Sequence, residues 1–361
     1  MRIALIDASF PINTRNQKYI DSLRKNYPDA DIKVIAWKRD GIERIIPEYH
    51  DVYYSKAAYG NLVVKLLKLK GFYNFIVERL KQFQPDVIIA SHWEALLMAP
   101  ANLKSSPLII YENLDVPTGP YPIRKLTEIL EKRKLRKTNL IVHASRFFKE
   151  LYPIDIPQIV LENKSQFNFE MKENCIHEPL VFSYIGTVRY RDIFKNFLTA
   201  CNCFSNIEVK VFGSGQDLNY LKEFAANMKN VSFYGAYNFS QIPSLYESSD
   251  VVWAAYPNKD FNVVYAISNK FHESLSCGKP CIYADNTKLG DYVRQHGIGY
   301  TVDPYSVDDI KKVISHIIDN KDELAEYKRT ITKHKADEKS WDDDFMQIVD
   351  FINSNVKYST K

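Results

Sequence analysis

Residues Tyr256 to Asp285 read YPNKDFNVVYAISNKFHESLSCGKPCIYAD. Just ahead of them, Val251 to Ala255 form a short apolar run that suits a strand buried in a parallel sheet, and a Pro-Asn turn ends it. Ser268 or Asn269 can N-cap a helix that carries His272 and Glu273 near its start. Gly278 stops that helix, and Pro280 opens the next apolar run, CIYA. The order is strand, helix, strand. A helix that begins at the carboxyl edge of a parallel sheet presents free backbone N–H groups and the positive end of its dipole, which favours an anion such as a diphosphate. One turn on, the Glu273 carboxylate would point into the same crevice, where it can accept hydrogen bonds from a ribose diol. Ser268, Asn269, Lys270 and Glu273 are therefore candidate nucleotide-binding residues. In isolation, Glu273 is equally explained as a favourable charge near a helix start.

The set Asn269, Lys270, Glu273, Gly278, Lys279 and Pro280 resembles the donor-binding helix of GT-B glycosyltransferases, in particular the retaining family four, the glycosyl transferases group 1, in which variants of N-K-x-x-E-x-x-x-x-G-K-P recur. The resemblance implies an α/β fold of two Rossmann-like domains facing across a cleft. It places an acceptor-binding domain at 1–164 and a donor-binding domain at 165–339. The last segment, KSWDDDFMQIVDFINSN at 339–355, would cross back, so that 340–361 packs on the first domain. The chain departs from the family at named positions. The first glutamate of the E-x7-E signature is Tyr265, and where relatives often read T-x-H-D this chain has Glu112, Asn113, Leu114 and Asp115.

Upstream, PLVFSYIGTVRYRDIFKN is a buried strand running into Gly186, with Arg189 and Lys195 beyond it. A glycine permits close backbone approach, and cations beside it can neutralise a diphosphate. The loop Gly213-Ser214-Gly215 follows the next strand; a lone GxG also serves any tight strand-to-helix turn. Tyr237 holds a position that frames the nucleotide base in the family, where it would stack on the base or pack across the loop.

In the first half, PDVIIAS and PLIIYENLD are buried strands whose carboxyl ends carry His92, Glu112 and Asp115. Ligand chemistry collects at such ends, so these three are the catalytic candidates, with Asp115 foremost and Glu112 behind it as acid/base. His92 has a structural alternative. The loop SFPINTRN after the first strand lacks the paired glycines of many relatives. Segments 61–83 and 124–137 mix apolar residues with lysine and arginine, as a peripheral membrane contact requires; core packing with a solvated basic face is the other reading.

The 361 residues suit two domains, and 45% hydrophobic with 25% charged residues describe an ordinary globular chain. Five cysteines without a CxxC pair indicate neither a disulfide framework nor a zinc site and fit a reducing cytoplasm, and the basic segments 61–83 and 124–137 point to the inner face of its membrane. MRIALIDASF reads as a strand, not a signal peptide. A net charge of +4 gives no support for nucleic-acid binding. The expected function is transfer of a sugar from a nucleotide diphosphate donor, UDP-linked by family habit, to a hydroxyl of a glycan or lipid-linked acceptor in cell-surface polysaccharide synthesis, with no metal and no cofactor. The alternatives are a sugar-nucleotide 2-epimerase and a non-catalytic nucleotide-sugar-binding subunit.

Overall fold

The structure is a computed structural model that describes residues 1–56, 62–100, 103–118, 120–165 and 176–356, with backbone alone over 62–67. The chain forms two compact units, residues 1–162 with 341–361, and residues 163–340.

In the first unit, β1 (Arg2–Asp7), β2 (Asp31–Lys38), β3 (His50–Tyr54), β4 (Val87–Ser91), β5 (Leu108–Asn113), β6 (Leu140–His143) and β7 (Gln158–Val160) make one sheet. Its order is β3-β2-β1-β4-β5-β6-β7, and every pairing is parallel. The helices are α1 (Thr14–Asn26), α2 (Leu62–Phe83), α3 (His92–Met98) and α4 (Tyr121–Leu135). The central strands β4 and β5 are buried along their whole length, which is why VIIAS and LIIYEN read as near-continuous apolar runs and not as alternations.

The second unit has β8 (Leu180–Ile185), β9 (Ile207–Phe212), β10 (Val231–Gly235), β11 (Val251–Trp253), β12 (Cys281–Ala284) and β13 (Gly299–Val302), in the order β10-β9-β8-β11-β12-β13 and again all parallel. Around it lie α5 (Arg191–Cys201), α6 (Leu218–Phe224), α7 (Ile242–Glu247), α8 (Phe261–Tyr265), α9 (Asn269–Cys277), α10 (Lys288–His296), α11 (Val307–Asp319) and α12 (Asp322–Asp337). Phe197 of α5 stacks on Trp253 of β11, with ring centroids 4.4 Å apart at the centre of this core. Cys201, Cys203, Cys277 and Cys281 are free thiols; Cys175 lies outside the described residues.

The last helix, α13 (Trp341–Asn355), belongs to the first unit. Its Trp341 indole N–H donates to Ser22 Oγ at 2.9 Å, and its Phe345 ring meets Tyr19 edge-on at 4.9 Å. Trp341, Phe345, Ile348, Val349 and Ile352, spaced three and four apart, form the buried stripe. The boundary between the units falls between Glu162 and Asn163, two residues before the expected one, and side-chain pairing explains the difference. Glu162 takes both ends of the Arg146 guanidinium at 2.8 and 2.7 Å within the first unit. Asn163 instead donates to Asn269 at 2.9 Å, and Lys164 pairs with Glu338 at 3.2 Å, both within the second.

Candidate active site

In the second sheet the strand order reverses between β8 and β11, and ligands of open α/β sheets bind beyond the carboxyl ends at such a reversal. Gly186 follows β8 there, with φ +146°, and a Cβ on it would lie 2.8 Å from Lys270 Nζ. The missing side chain leaves room for the ammonium. Lys270 is buried, and its Nζ donates to the Tyr256 hydroxyl at 2.9 Å while sitting 4.7 Å from the Tyr184 ring centroid. Burial works against its charge, but Tyr256, Tyr184 and Glu273 outweigh it and hold the ammonium protonated. The cation thus stands where the two strands part.

Lys270 is the second residue of α9, whose N-cap is Ser268 in extended conformation, and no side chain caps this first turn. The Ser268 Oγ is buried without a hydrogen-bond partner among the described residues. At the other end Gly278 takes φ +56° as the C-cap, where a side chain would be strained. One turn into α9, Glu273 Oε2 accepts from the buried Tyr246 hydroxyl at 3.0 Å. Burial pushes the Glu273 carboxyl above the usual range, against the opposing pull of Lys270 and Tyr246. Burial also raises the half-buried Tyr237 phenol, with the Glu273 charge as the next contribution. Arg189 lies 4.7 Å from the Tyr190 ring and 5.9 Å from the Tyr256 ring, an exposed cation at the rim. An uncapped helix end, a buried ammonium, a carboxylate and a tyrosine wall therefore converge, the elements that a nucleotide diphosphate needs.

Two expectations for this unit are corrected. Lys195 falls in the second turn of α5 and lies over the Phe224 and Tyr220 rings of α6, at 5.1 and 5.9 Å, so it does not join Lys270. Gly213 and Gly215 serve the backbone: a Cβ on Gly213 would lie 1.8 Å from the Gly186 carbonyl oxygen, and one on Gly215 would lie 2.2 Å from that of Val188. Two loops pack main chain against main chain there, tied by Val188 N–H to Ser214 O at 3.0 Å. The Asn269 side chain accepts from Asn163, so only its backbone is directed to the helix opening.

In the first unit the order reverses between β1 and β4. Asn16 bridges these strands, donating to Asp7 Oδ2 at 2.7 Å and Ser91 Oγ at 2.8 Å, while Ser9 donates to Asp7 Oδ1 from its amide and its hydroxyl at 2.9 and 2.7 Å. The glycine-free loop is thus held by its own polar groups. His92, directly after β4, has φ +76°, a left-handed backbone that costs a non-glycine residue about 1 kcal/mol and that clusters at functional sites. Its Nε2 lies 3.8 Å from Asp115 Oδ2, and both side chains reach solvent. Glu112 is different. It is fully buried at the end of β5, where Arg15 grips it with Nε at 2.7 Å and with Nη2, and Arg15 also donates to the Leu161 carbonyl at 2.6 Å. A carboxylate with no exposed surface and a guanidinium partner is a structural anchor, which removes Glu112 from the acid/base candidates.

Residues 166–334 match the family model described as "Glycosyl transferases group 1". The match falls within the second unit. Among solved structures, sucrose-phosphate synthase from Thermosynechococcus elongatus is 12% identical over 98% of both chains, with a TM-score of 0.76. Anabaena HepE in complex with UDP is 14% identical over 98% of this chain and 100% of its own, with a TM-score of 0.74. WaaG, a glycosyltransferase involved in lipopolysaccharide biosynthesis, is 13% identical over 98% and 100%, with a TM-score of 0.67. At such identities the likeness shows the fold, the two Rossmann-like domains of GT-B glycosyltransferases. No curated protein matches the sequence.

Within the second unit, sequence reasoning missed Tyr184, Tyr246 and Tyr256, the side chains that hold Lys270 and Glu273 in place. The signal was faint: each is an aromatic residue in or beside a core strand or helix, and nothing in the spacing distinguishes its hydroxyl from those of other buried tyrosines. Among the described residues no three His, Cys, Asp or Glu side chains gather as a metal site.

Proposed function

We propose that the chain transfers a sugar from a UDP-linked donor to a hydroxyl of a glycan or lipid-linked oligosaccharide acceptor in cell-surface polysaccharide synthesis, at the cytoplasmic side of the membrane. The observation that carries the donor half is Lys270 Nζ set beside Gly186 and Tyr256, with Glu273 one turn further along α9. Glu273 takes the ribose hydroxyls through the oxygen that Tyr246 does not occupy. Lys270, Arg189 and the open N–H groups at Ser268 and Asn269 meet the diphosphate, and Tyr237 faces the base. Negative charge that develops on the leaving diphosphate is then met by fixed donors, a route that needs no metal ion.

In the acceptor half, Asp115 deprotonates the acceptor hydroxyl and His92 steadies that carboxylate from the start of α3. Support for UDP comes from the solved relatives: HepE was determined with UDP and with UDP-glucose. Support for a surface-glycan pathway comes from WaaG and from the lipopolysaccharide outer core galactosyltransferase WaaB, 15% identical with a TM-score of 0.67. A thermal-shift panel of UDP, GDP and ADP tests the donor reading, because a ligand at 100 times its dissociation constant stabilises by about 2.7 kcal/mol. UDP should give the largest shift, and no shift with any of the three would end the proposal. Donor consumption in the presence of acceptor glycans, by the purified single chain, tests the transfer.

A further inference from the structure

Helix α4 turns the wrong side outward for a helix that only packs on a core. Its buried residues are Glu131 and Leu135, whereas Tyr121, Ile123, Leu126, Ile129 and Leu130 are exposed, Leu126 to 58%. At 3.6 residues per turn Ile123, Leu126, Ile129 and Leu130 share one stripe opposite Leu135, and the stripe continues into Arg133 and Lys137 with Lys132 and Arg136 flanking it. The helix has two acids. Glu131 is withdrawn beneath the surface, where its Oε1 accepts from the Tyr111 and Tyr152 hydroxyls at 2.8 Å each, and Glu128 sits on the side that Arg124 and Lys125 share. Neither acid lies on the outer stripe, which carries no negative charge. Lys134, by contrast, points inward and donates to the Ala99 carbonyl at 2.8 Å.

The described part of α2 behaves in the opposite way. Its Phe72, Ile76 and Leu80 are fully buried, and Phe72 joins Trp37 and Tyr53 in an aromatic cluster with centroids 5.3 and 5.8 Å away. Over Lys68 to Phe83 this is a core helix, which corrects the membrane expectation for that stretch; Asn61 and the side chains of 62–67, Lys65 among them, lie outside the described residues.

We propose that the exposed face of α4 docks on a membrane surface containing anionic lipid. Aliphatic side chains at the amino-terminal half enter the headgroup region, Tyr121 anchors at the interface, and Arg133 and Arg136 pair with lipid phosphates. Because the apolar residues precede the cations along the helix, α4 lies obliquely with its amino end deeper. The inference stands on the first unit alone and is independent of the donor chemistry.

The test is co-sedimentation of the full chain with vesicles of phosphatidylcholine, and of phosphatidylcholine mixed with phosphatidylglycerol, for the wild type, Leu126→Glu/Leu130→Glu and Arg133→Glu/Arg136→Glu. The wild type should bind the anionic vesicles, bind the neutral ones far less, and release with salt. At roughly 5-fold per surface cation, the charge-reversal pair should weaken binding by about 25-fold or more. The leucine pair should abolish it, with thermal melting unchanged because both side chains are exposed. Wild-type binding absent from anionic vesicles, or equal on both vesicle types, or unaltered in both variants, overturns the proposal. So does a wild-type dimer in sedimentation velocity that becomes a monomer in Leu126→Glu/Leu130→Glu, since a second copy would then cover the face.

Discussion

Replacing Glu273 by glutamine keeps the shape of the side chain and removes its charge. Its Oε2 is engaged by the Tyr246 hydroxyl at 3.0 Å, and the amide oxygen of a glutamine can take over that role. The loss therefore falls on the ribose contact. A hydrogen bond to a charged group contributes about 1.5–3 kcal/mol and one to a neutral group about 0.5–1.5, so Glu273→Gln should weaken UDP by roughly 1–2 kcal/mol, or about 5- to 30-fold. Glu273→Ala removes the acceptor altogether and should cost about 2–3 kcal/mol of affinity. It also leaves the fully buried Tyr246 hydroxyl unpaired, which should lower the stability of the fold by about 1–3 kcal/mol, a penalty that Tyr246→Phe in the same background should recover. Isothermal titration calorimetry with UDP reads the affinity and thermal melting reads the fold. A pH series adds a second arm. Burial raises the Glu273 pKa, so its carboxylate protonates at a higher pH than an ordinary glutamate and UDP affinity falls as pH is lowered through that raised value. Titration of the UDP phosphates is common to wild type and Glu273→Gln, so the difference between the two curves isolates this residue. A UDP dissociation constant within about twofold of wild type for both substitutions would refute the ribose assignment.

Asp115→Asn and His92→Gln should each lower kcat by about 100-fold or more while UDP affinity stays unchanged; near-normal turnover in steady-state assays would remove the pair from the base role. Gly213→Ala should destabilise the second unit by about 3 kcal/mol or more, because its Cβ would lie 1.8 Å from the Gly186 carbonyl oxygen, and an unchanged melting temperature would contradict the main-chain packing of the two loops. His143 donates from Nε2 to Gln158 Oε1 at 2.8 Å and accepts at Nδ1 from Asn113 at 3.1 Å, a neutral tautomer that burial holds at a pKa lowered to about 4. Between the ordinary value of about 6.5 and about 4 the unfolded chain takes up a proton that the folded chain refuses, so stability is complete above that window and falls as pH drops through it, by about 3 kcal/mol. Unfolding midpoints of wild type and His143→Gln at neutral and acidic pH should diverge accordingly, and parallel curves would show that the imidazole accepts the proton in place.

Local order was legible in the sequence. The apolar run at Val251, the helix from Asn269, the stop at Gly278 and the run from Cys281 appear as β11, α9 and β12 within a residue or two, because hydrophobic period and glycine punctuation are properties of neighbouring residues. The return of the last helix to the first unit followed from the family resemblance, and Trp341 and Phe345 are the side chains that secure it. Asp115 and Glu112 carry the same chemistry three positions apart, and no local pattern separates them.

What separated them was Arg15, 97 residues before Glu112 in the chain, which α1 delivers to the end of β5. Similarly, Lys195 and Lys270 are both cations near the start of a helix, yet Tyr184 and Tyr256 receive one and the rings of α6 receive the other. Helices α2 and α4 are both basic and apolar, but the sheet buries Phe72 and Ile76 and leaves Leu126 and Leu130 in water. Sequence alone determined that this is an α/β chain with a helix opening just before Asn269, because strand and helix periods and caps are set within a few residues. Which carboxylate reaches solvent, which lysine is enclosed and which apolar face is bare depends on partners brought together by the parallel strand order, and only the tertiary structure decided them.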